Sequence, residues 1–241
     1  MGDTVYYIKN LKYKYKKSNN YILKDVDFII KPGVLNVLIG ENGSGKTTLL
    51  DCITQSLKAD FEHNLPKSKD ILYMTQNIFF APSNKGKDIK NLIRGLLPKN
   101  ESEYFDEEIF SKFTSDEINK YQHLLNMKMG DMSVGERKWL YLQLFSRIPK
   151  EIYLLDEPTS GVDPLSRKLI MKRIEDIIRH GKQCLISTHQ LQDLQHIDVN
   201  LIFLNKGKIV YQGDFKHWLK LNEATNPDIA FEKTLYSNEE I

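Results

Sequence analysis

The chain has 241 residues, 41% of them hydrophobic and 27% charged, the composition of an ordinary globular protein of one or two domains with enough length to bury a core. With 34 basic against 32 acidic residues the net charge is +2, which gives no reason to expect nucleic-acid binding through bulk charge. No apolar run approaches the ~18 residues that cross a bilayer, the polar, Tyr-rich start has no signal-peptide pattern, and Tyr6 stands where myristoylation needs Ser or Thr, so the chain is not expected to enter a membrane by itself.

Residues 4–30 alternate with the period of a strand, and in "LKYKYKK" Tyr13 and Tyr15 fall on one side, Lys12, Lys14 and Lys16 on the other. Interleaved Tyr and Lys could form a base-stacking surface. A half-solvated strand is the plainer reading. Lys31-Pro32-Gly33 is a turn, with Pro presetting one central position and Gly accepting positive φ at the next. "VLNVLIG" then reads as a buried strand and "GKTTLLDCI" as the helix after it. "LYMTQN" ends another apolar strand at Gln76. From Lys85 to about Tyr121 the character changes: Ile89, Leu92, Ile93, Leu96 and Leu97 follow helical spacing, as do Phe105, Ile109, Phe110 and Phe113 beyond Pro98. "GDMSVGERKWL" is a loop running into a helix whose first turn carries Ser133 and Gly135, an end suited to an anion. "EIYLLDEP" and "KQCLISTH" are short buried strands, separated by a helix that stops at Gly181. Strands alternating with helices imply an α/β fold with a parallel sheet and right-handed crossovers. The two cysteines, Cys52 and Cys184, lie in apolar segments and read as buried small hydrophobes in a reducing cytosol.

The chemistry concentrates in "GENGSGKT", which has the spacing Gly40-x-x-x-x-Gly45-Lys46-Thr47 between a predicted strand and a predicted helix. Such a loop curls its amides around phosphate. Lys46 offers a cation to the β- and γ-phosphates, and the Thr47 hydroxyl can hold Mg²⁺. Asp156 and Glu157 end a strand. Asp156 is placed to hold Mg²⁺ and Glu157 to polarise an attacking water. Gln76 and His189 are polar residues at other strand ends, ordinary taken singly. A second anion-binding helix end at Ser133, remote from the phosphate loop, is what a single self-contained site would not need.

Taken together these residues resemble the ATP-binding cassette (ABC) ATPases, over about residues 4–215 and in the family's order. "GENGSGKTT" matches the Walker A motif, Gln76 the Q-loop glutamine, "MSVGERKWL" the signature usually written LSGGQ, "IYLLDEP" the Walker B motif with its glutamate, "SGVDP" the D-loop and His189 the switch histidine. The resemblance implies one ABC ATPase domain: an N-terminal antiparallel β part (4–37), a P-loop α/β core (38–76 and 150–215), a helical subdomain insertion (77–149) and a tail (216–241). It implies nucleotide contacts from Gly40, Glu41, Asn42, Gly43, Ser44, Gly45, Lys46, Thr47, Thr48 and Asp163, with Tyr15 or its rival Tyr13 stacking on adenine. Mg²⁺ would be held by Thr47, Gln76 and Asp156, and catalysis carried by Glu157, His189, Gln76, Ser133 and Gly135. It also implies that the signature serves a second ATPase subunit, Ser133 giving its hydroxyl and Gly135 its amide to the γ-phosphate bound by the other chain.

Two positions depart from the family pattern. Val134 replaces a Gly, and Val resists positive φ. Glu136 replaces a Gln, which suits a helix N-terminus but sets a carboxylate where it should repel a triphosphate. The functional expectation is an ATPase subunit on the cytoplasmic face of the membrane, powering separate transmembrane permease subunits, with no nucleic-acid partner. Phe79 and Phe80 either receive a helix of that partner or pack under the helical insertion. "NPDIAFEKTL", around Phe231, resembles the short tail of exporter-type ATPases, and the chain stopping soon after the core fits this, so export is expected over import. A soluble ABC ATPase such as a cluster-assembly type is the alternative.

Overall fold

Alternation of apolar and polar residues makes β1 (Tyr6–Tyr13) and β2 (Leu23–Ile30), which pair antiparallel with Tyr6 opposite Ile30. The structure, a computed structural model, describes residues 4–103, 105 and 113–237. Its contacts divide the chain into two compact units, one formed by Met1–Gln76, Lys150–Ser160 and Glu175–Ile241, the other by Asn77–Pro149 and Gly161–Ile174.

In the first unit a three-stranded sheet has the order β2-β1-β4, with β4 the two-residue strand Glu62–His63. The period-two pattern of β1 breaks at Asn10, whose φ of 58° coincides with a register shift between Ile8 and Leu11. Both of these stay buried although they are three residues apart, as a bulge allows. The strand ends at Tyr13, so the expected continuation through Tyr15 does not form: Tyr13 is half-buried at the strand end and Tyr15 stands exposed in the loop beyond it. The Lys31-Pro32-Gly33 turn forms with φ 72° at Gly33.

The second sheet has six strands in the order β5-β6-β7-β3-β8-β9. These are β3 (Leu35–Ile39), β5 (Ile71–Met74), β6 (Ile152–Asp156), β7 (Gln183–Ser187), β8 (Val199–Asn205) and β9 (Lys208–Asp214). β5, β6, β7, β3 and β8 run parallel, and every residue of β3, β6 and β7 is buried, the mark of a sheet covered on both faces. β9 pairs antiparallel with β8 through a turn with positive φ at Lys206 and Gly207. This hairpin was not among the predicted elements. Helix α1 (Lys46–Ile53) follows β3, and its Leu49, Leu50, Cys52 and Ile53 pack into a core with Ile8, Leu11, Val26, Leu154 and Leu185. Cys52 and Cys184 are free and buried, and burial pushes the Cys52 thiol up to about 12.

The second unit is helical: α2 (Gly86–Gly95), α3 (Lys99–Glu103), α4 (Ser115–Asn126), α5 (Val134–Phe145) and the start of α6 (Pro164–Arg179). Ile89 and Ile93 are buried as their spacing predicts, whereas Leu92 and Leu96 are exposed. Phe105 is buried, Phe113 packs edge-on to Tyr121 with centroids 5.9 Å apart, and Ile109 and Phe110 lie outside the described residues. Thr114 and Glu117 form a reciprocal capping box at the start of α4, and the Glu117 carboxylate also accepts from Lys172 at 3.0 Å. The chain closes in the first unit with α7 (Phe215–Leu221) and α8 (Pro227–Ser237).

Candidate active site

Three parallel strands deliver the chemistry at their C-terminal ends. β3 runs out into the loop Gly40–Gly45, where an added Cβ at Gly40 would lie 2.2 Å from the Leu204 carbonyl oxygen; no side chain fits at that strand exit. α1 starts at Lys46 and points its N-terminal amides and the positive end of its dipole at the loop. The Lys46 ammonium folds back and donates to the Gly40 and Glu41 carbonyls at 2.8 and 3.0 Å. Burial holds its pKa below the usual lysine value, against the opposing pull of Glu157 and Asp156.

β6 ends at Asp156, which stands opposite Ser187 at the end of β7. The Ser187 hydroxyl donates to Asp156 Oδ1, and the Thr47 hydroxyl donates to Asp156 Oδ2 at 3.0 Å. Glu157 follows with φ 50°, a left-handed conformation that costs a bulky residue about 1–3 kcal/mol. It is held there by its own amide, which donates to Ser187 Oγ at 2.9 Å and to the Ser187 carbonyl at 3.2 Å. The Glu157 carboxylate is thereby set 2.9 Å from His189 Nδ1. Ser187 and Thr188, on the same strand end as His189, escaped sequence reasoning because hydroxyls inside an apolar strand read as core filler.

These groups face a cavity of about 580 Å³. Its lining includes Gly40, Glu41, Asn42, Gly43, Gly45, Lys46, Thr47 and Thr48 from the loop and α1, with Gln76, Asp156, Glu157 and His189. Ser44 is buried and does not line it. Tyr15 lines the cavity and Tyr13 does not. Tyr13 instead supports the Tyr15 ring edge-on at 5.2 Å, and the Tyr15 hydroxyl lies 3.3 Å from Thr48 Oγ1. Ile22 and Phe231 complete the apolar walls, and neither was singled out for this role by the sequence. Thr47 Oγ1 and Asp156 Oδ2 lie 3.0 Å apart, two hard oxygen ligands of the kind Mg²⁺ takes.

In the second unit Ser133 caps α5. Its oxygen accepts from the Glu136 amide at 3.2 Å, and its own amide donates to Glu136 Oε2 at 2.8 Å. The Glu136 carboxylate is thus turned back onto Ser133 in a capping box, and this contact holds its pKa below the usual value. The capping box bears out the fit to the helix N-terminus, while the carboxylate keeps its charge. Val134 is the first helical residue and is not among the positive-φ positions, so the anticipated conflict with its branched side chain does not arise. A Cβ at Gly135 would meet the Asp163 carboxylate and Ser166 at 3.1 Å, so the start of α5 packs closely on the start of α6. Asp163 Oδ1 accepts from the Ser166 amide at 3.0 Å, which lowers its pKa. Phe79 and Phe80 part ways: Phe79 is 83% exposed, and Phe80 packs on Tyr141 with centroids 5.5 Å apart.

A strand, a glycine loop and a helix, with a buried lysine and a strand-end carboxylate facing the helix's first hydroxyl, define a P-loop nucleoside triphosphatase. Residues 23–160 match the family model described as ABC transporter, and the chain belongs to that family. It is an ATP-binding subunit, an ATPase. It is similar to the ABC transporter ATP-binding protein YtrB of Bacillus subtilis (strain 168), 29% identical over 225 residues, covering 87% of this chain and 74% of the relative. It is also similar to the lantibiotic transport ATP-binding protein SrtF of Streptococcus pyogenes, 28% identical over 234 residues, covering 94% of this chain and 98% of the relative. Among solved structures, the ATP-binding subunit of an ABC transporter has the same fold, with TM-score 0.79, 18% identity and coverage of 96% of this chain and 100% of that one.

Proposed function

We propose that this chain hydrolyses Mg²⁺-ATP to drive a substrate outward through separate membrane-spanning subunits. The observation that carries the reading is the Glu157 carboxylate held against His189 at the mouth of a cavity floored by the phosphate loop. In this reading Tyr15 stacks on the adenine and the loop amides with Lys46 take the β- and γ-phosphates. Glu157 orients the attacking water and accepts its proton, while His189 fixes the carboxylate. Thr47 and Asp156, with Gln76 nearby, would hold Mg²⁺, which supplies positive charge to the phosphate oxygens when bound. Ser133 and Gly135 act on the ATP of a second ATPase subunit. The Ser133 oxygen already accepts from Glu136, so its hydroxyl proton remains available to a phosphate. Asp163, beside Gly135, joins the same interface.

Among the described residues no helix is long and apolar enough to cross a membrane, and this reading assigns the translocation path to separate membrane-spanning subunits. The exposed Phe79 is the proposed contact for them, with the chain peripheral on the cytoplasmic face. The export direction rests on the likeness to a lantibiotic transport protein. The test mixes Lys46→Ala and Ser133→Arg chains. Each alone is expected to be nearly inactive, and the mixture to regain ATPase activity because one site of a mixed dimer is whole. A monomer that hydrolyses ATP at a specific rate independent of concentration overturns the paired-site mechanism. Recovery of the tagged chain in membranes only when a neighbouring membrane protein is present tests the transport assignment.

A further inference from the structure

The C-terminal helix α8 reaches the nucleotide cavity, although it lies about 70 residues beyond the Walker B carboxylates in sequence. Its Phe231 is half-buried, with one part of the ring stacked on Phe203 (centroids 4.9 Å apart, planes 15° apart) and the remainder forming cavity wall. Phe203 is fully buried on β8 and pairs with Ile39, the last residue before the phosphate loop. One turn further along the same face the helix is held again. Trp218 Nε1 donates to Thr234 Oγ1 at 3.0 Å in a buried contact, and Thr234 Oγ1 donates back to the Ala230 carbonyl at 2.8 Å. α8 is therefore fixed to the sheet by packing and by satisfied buried polar groups.

From that position it holds the segment that follows His189. Residues Leu191–Leu194 form one 3₁₀ turn, and Gln192 Nε2 donates to Asn226 Oδ1 at 2.9 Å and to Asp228 Oδ2 at 3.0 Å, both at the N-terminus of α8. His189 itself is more than half exposed, and its one described side-chain partner is Glu157. An exposed imidazole with a single described side-chain contact owes its placement to its backbone, and that backbone lies between β7 and the turn that α8 grips. We propose that α8 sets the position of His189, and that Phe231 and Gln192 are positioning residues for the γ-phosphate side of the site. This rests on the ATPase reading above and adds the tail helix to it.

The test uses the full chain. Phe231→Ala is expected to lower kcat for Mg²⁺-ATP at least tenfold while KM stays within threefold, and Phe231→Leu to restore at least half of the rate. Gln192→Ala, an exposed substitution that leaves the core intact, is expected to lower kcat about threefold. In a His189→Ala background, read by single-turnover hydrolysis, Phe231→Ala is expected to lower the rate less than twofold, since both changes then remove one function. Amide hydrogen exchange over residues 188–195, measured without nucleotide, is expected to quicken at least threefold in both tail-contact variants. An unchanged kcat in Phe231→Ala, a fully multiplicative loss in the His189→Ala background, or unchanged exchange each overturns the proposal. A wild-type chain that binds a fluorescent ATP analogue yet never hydrolyses ATP removes the proposed function instead. The exchange measurement needs no turnover and still decides whether α8 holds the switch segment.

Discussion

Replacing Glu157 by Gln separates its chemistry from its strained geometry. The side chain keeps its volume at a site only 8% exposed, and the two bonds that hold φ at 50° come from the backbone amide, which the substitution leaves alone. The amide side chain can still meet His189 at the 2.9 Å position of the carboxylate. What is lost is a base. General-base catalysis contributes about 10² to 10⁴ in rate, so kcat is expected to fall by that factor, about 3–5 kcal/mol of barrier. Binding should move the other way. Glu157 and Asp156 both raise the pKa of Lys46, so their charge reaches the place where the triphosphate would sit. Two unit charges 4 Å apart exchange roughly 4 kcal/mol at an effective dielectric of 20, so a tenfold tighter Kd for ATP, about 1.4 kcal/mol, is a modest share of that. Single-turnover hydrolysis of radiolabelled ATP reads the first effect and equilibrium dialysis the second. ATP-dependent dimers should accumulate on a sizing column because the closing ligand persists. A kcat within threefold of wild type, in a variant with unchanged melting temperature, would refute the assignment and leave Glu157 as a structural carboxylate.

Tyr15→Ala is expected to raise KM for ATP roughly tenfold, inside the ~1–3 kcal/mol range of base stacking on an aromatic ring, while Tyr13→Ala stays within threefold because that ring only supports its neighbour. Equal effects would return the adenine contact to the pair. Glu136→Ala is expected to cost about 0.5–1 kcal/mol at pH 7, a capping contribution reduced by exposure and read from urea midpoints. The Ser133 amide holds the Glu136 carboxyl below its usual 4.5, so the folded chain binds that proton less tightly than the unfolded one. The stabilisation is therefore present above about 4.5 and lost as pH falls through the lower folded value; a difference between the two proteins that persists unchanged to pH 3 contradicts the capping role.

The strands carrying chemistry were legible because each is a short apolar run with an abrupt end: Ile39 at the phosphate-loop Gly40, Asp156 after Leu155, Ser187 after Ile186. A buried parallel strand needs apolar side chains on both faces, and that is a pattern a sequence displays directly. β8 and β9 were missed for a reason of the same kind. β8 is as buried as β7, yet it contains Asn200 and ends at Asn205, and its partner β9 is a half-exposed edge of mixed polarity. Asn200 is tolerated because its side chain donates to Asn36 Oδ1 and to the Ile29 carbonyl, a network assembled from three distant segments that no local pattern announces. The end of β1 failed on backbone grounds. The Tyr-Lys alternation runs on through Lys16, but the bulge at Asn10 shifts the phase and the pairing stops at Tyr13.

Ser187 shows most clearly what a motif cannot carry. Its hydroxyl has one proton and two lone pairs. The proton goes to Asp156 Oδ1, and an oxygen lone pair receives the Glu157 amide. One fully buried atom therefore fixes both carboxylates, the proposed metal ligand and the proposed base, and does so through strand register, since Ser187 stands opposite Asp156. Alanine there would strand a buried carboxylate oxygen and leave the Glu157 amide only the Ser187 carbonyl as acceptor, a lost bond worth about 1–3 kcal/mol and a weaker hold on the left-handed conformation of Glu157. Threonine would keep the hydroxyl but add a methyl group where no surface is exposed. The acidic pair in the sequence becomes a pair of distinct tools only because a neighbouring strand supplies this hydroxyl at the right level, and that juxtaposition is set by the order of strands in the sheet.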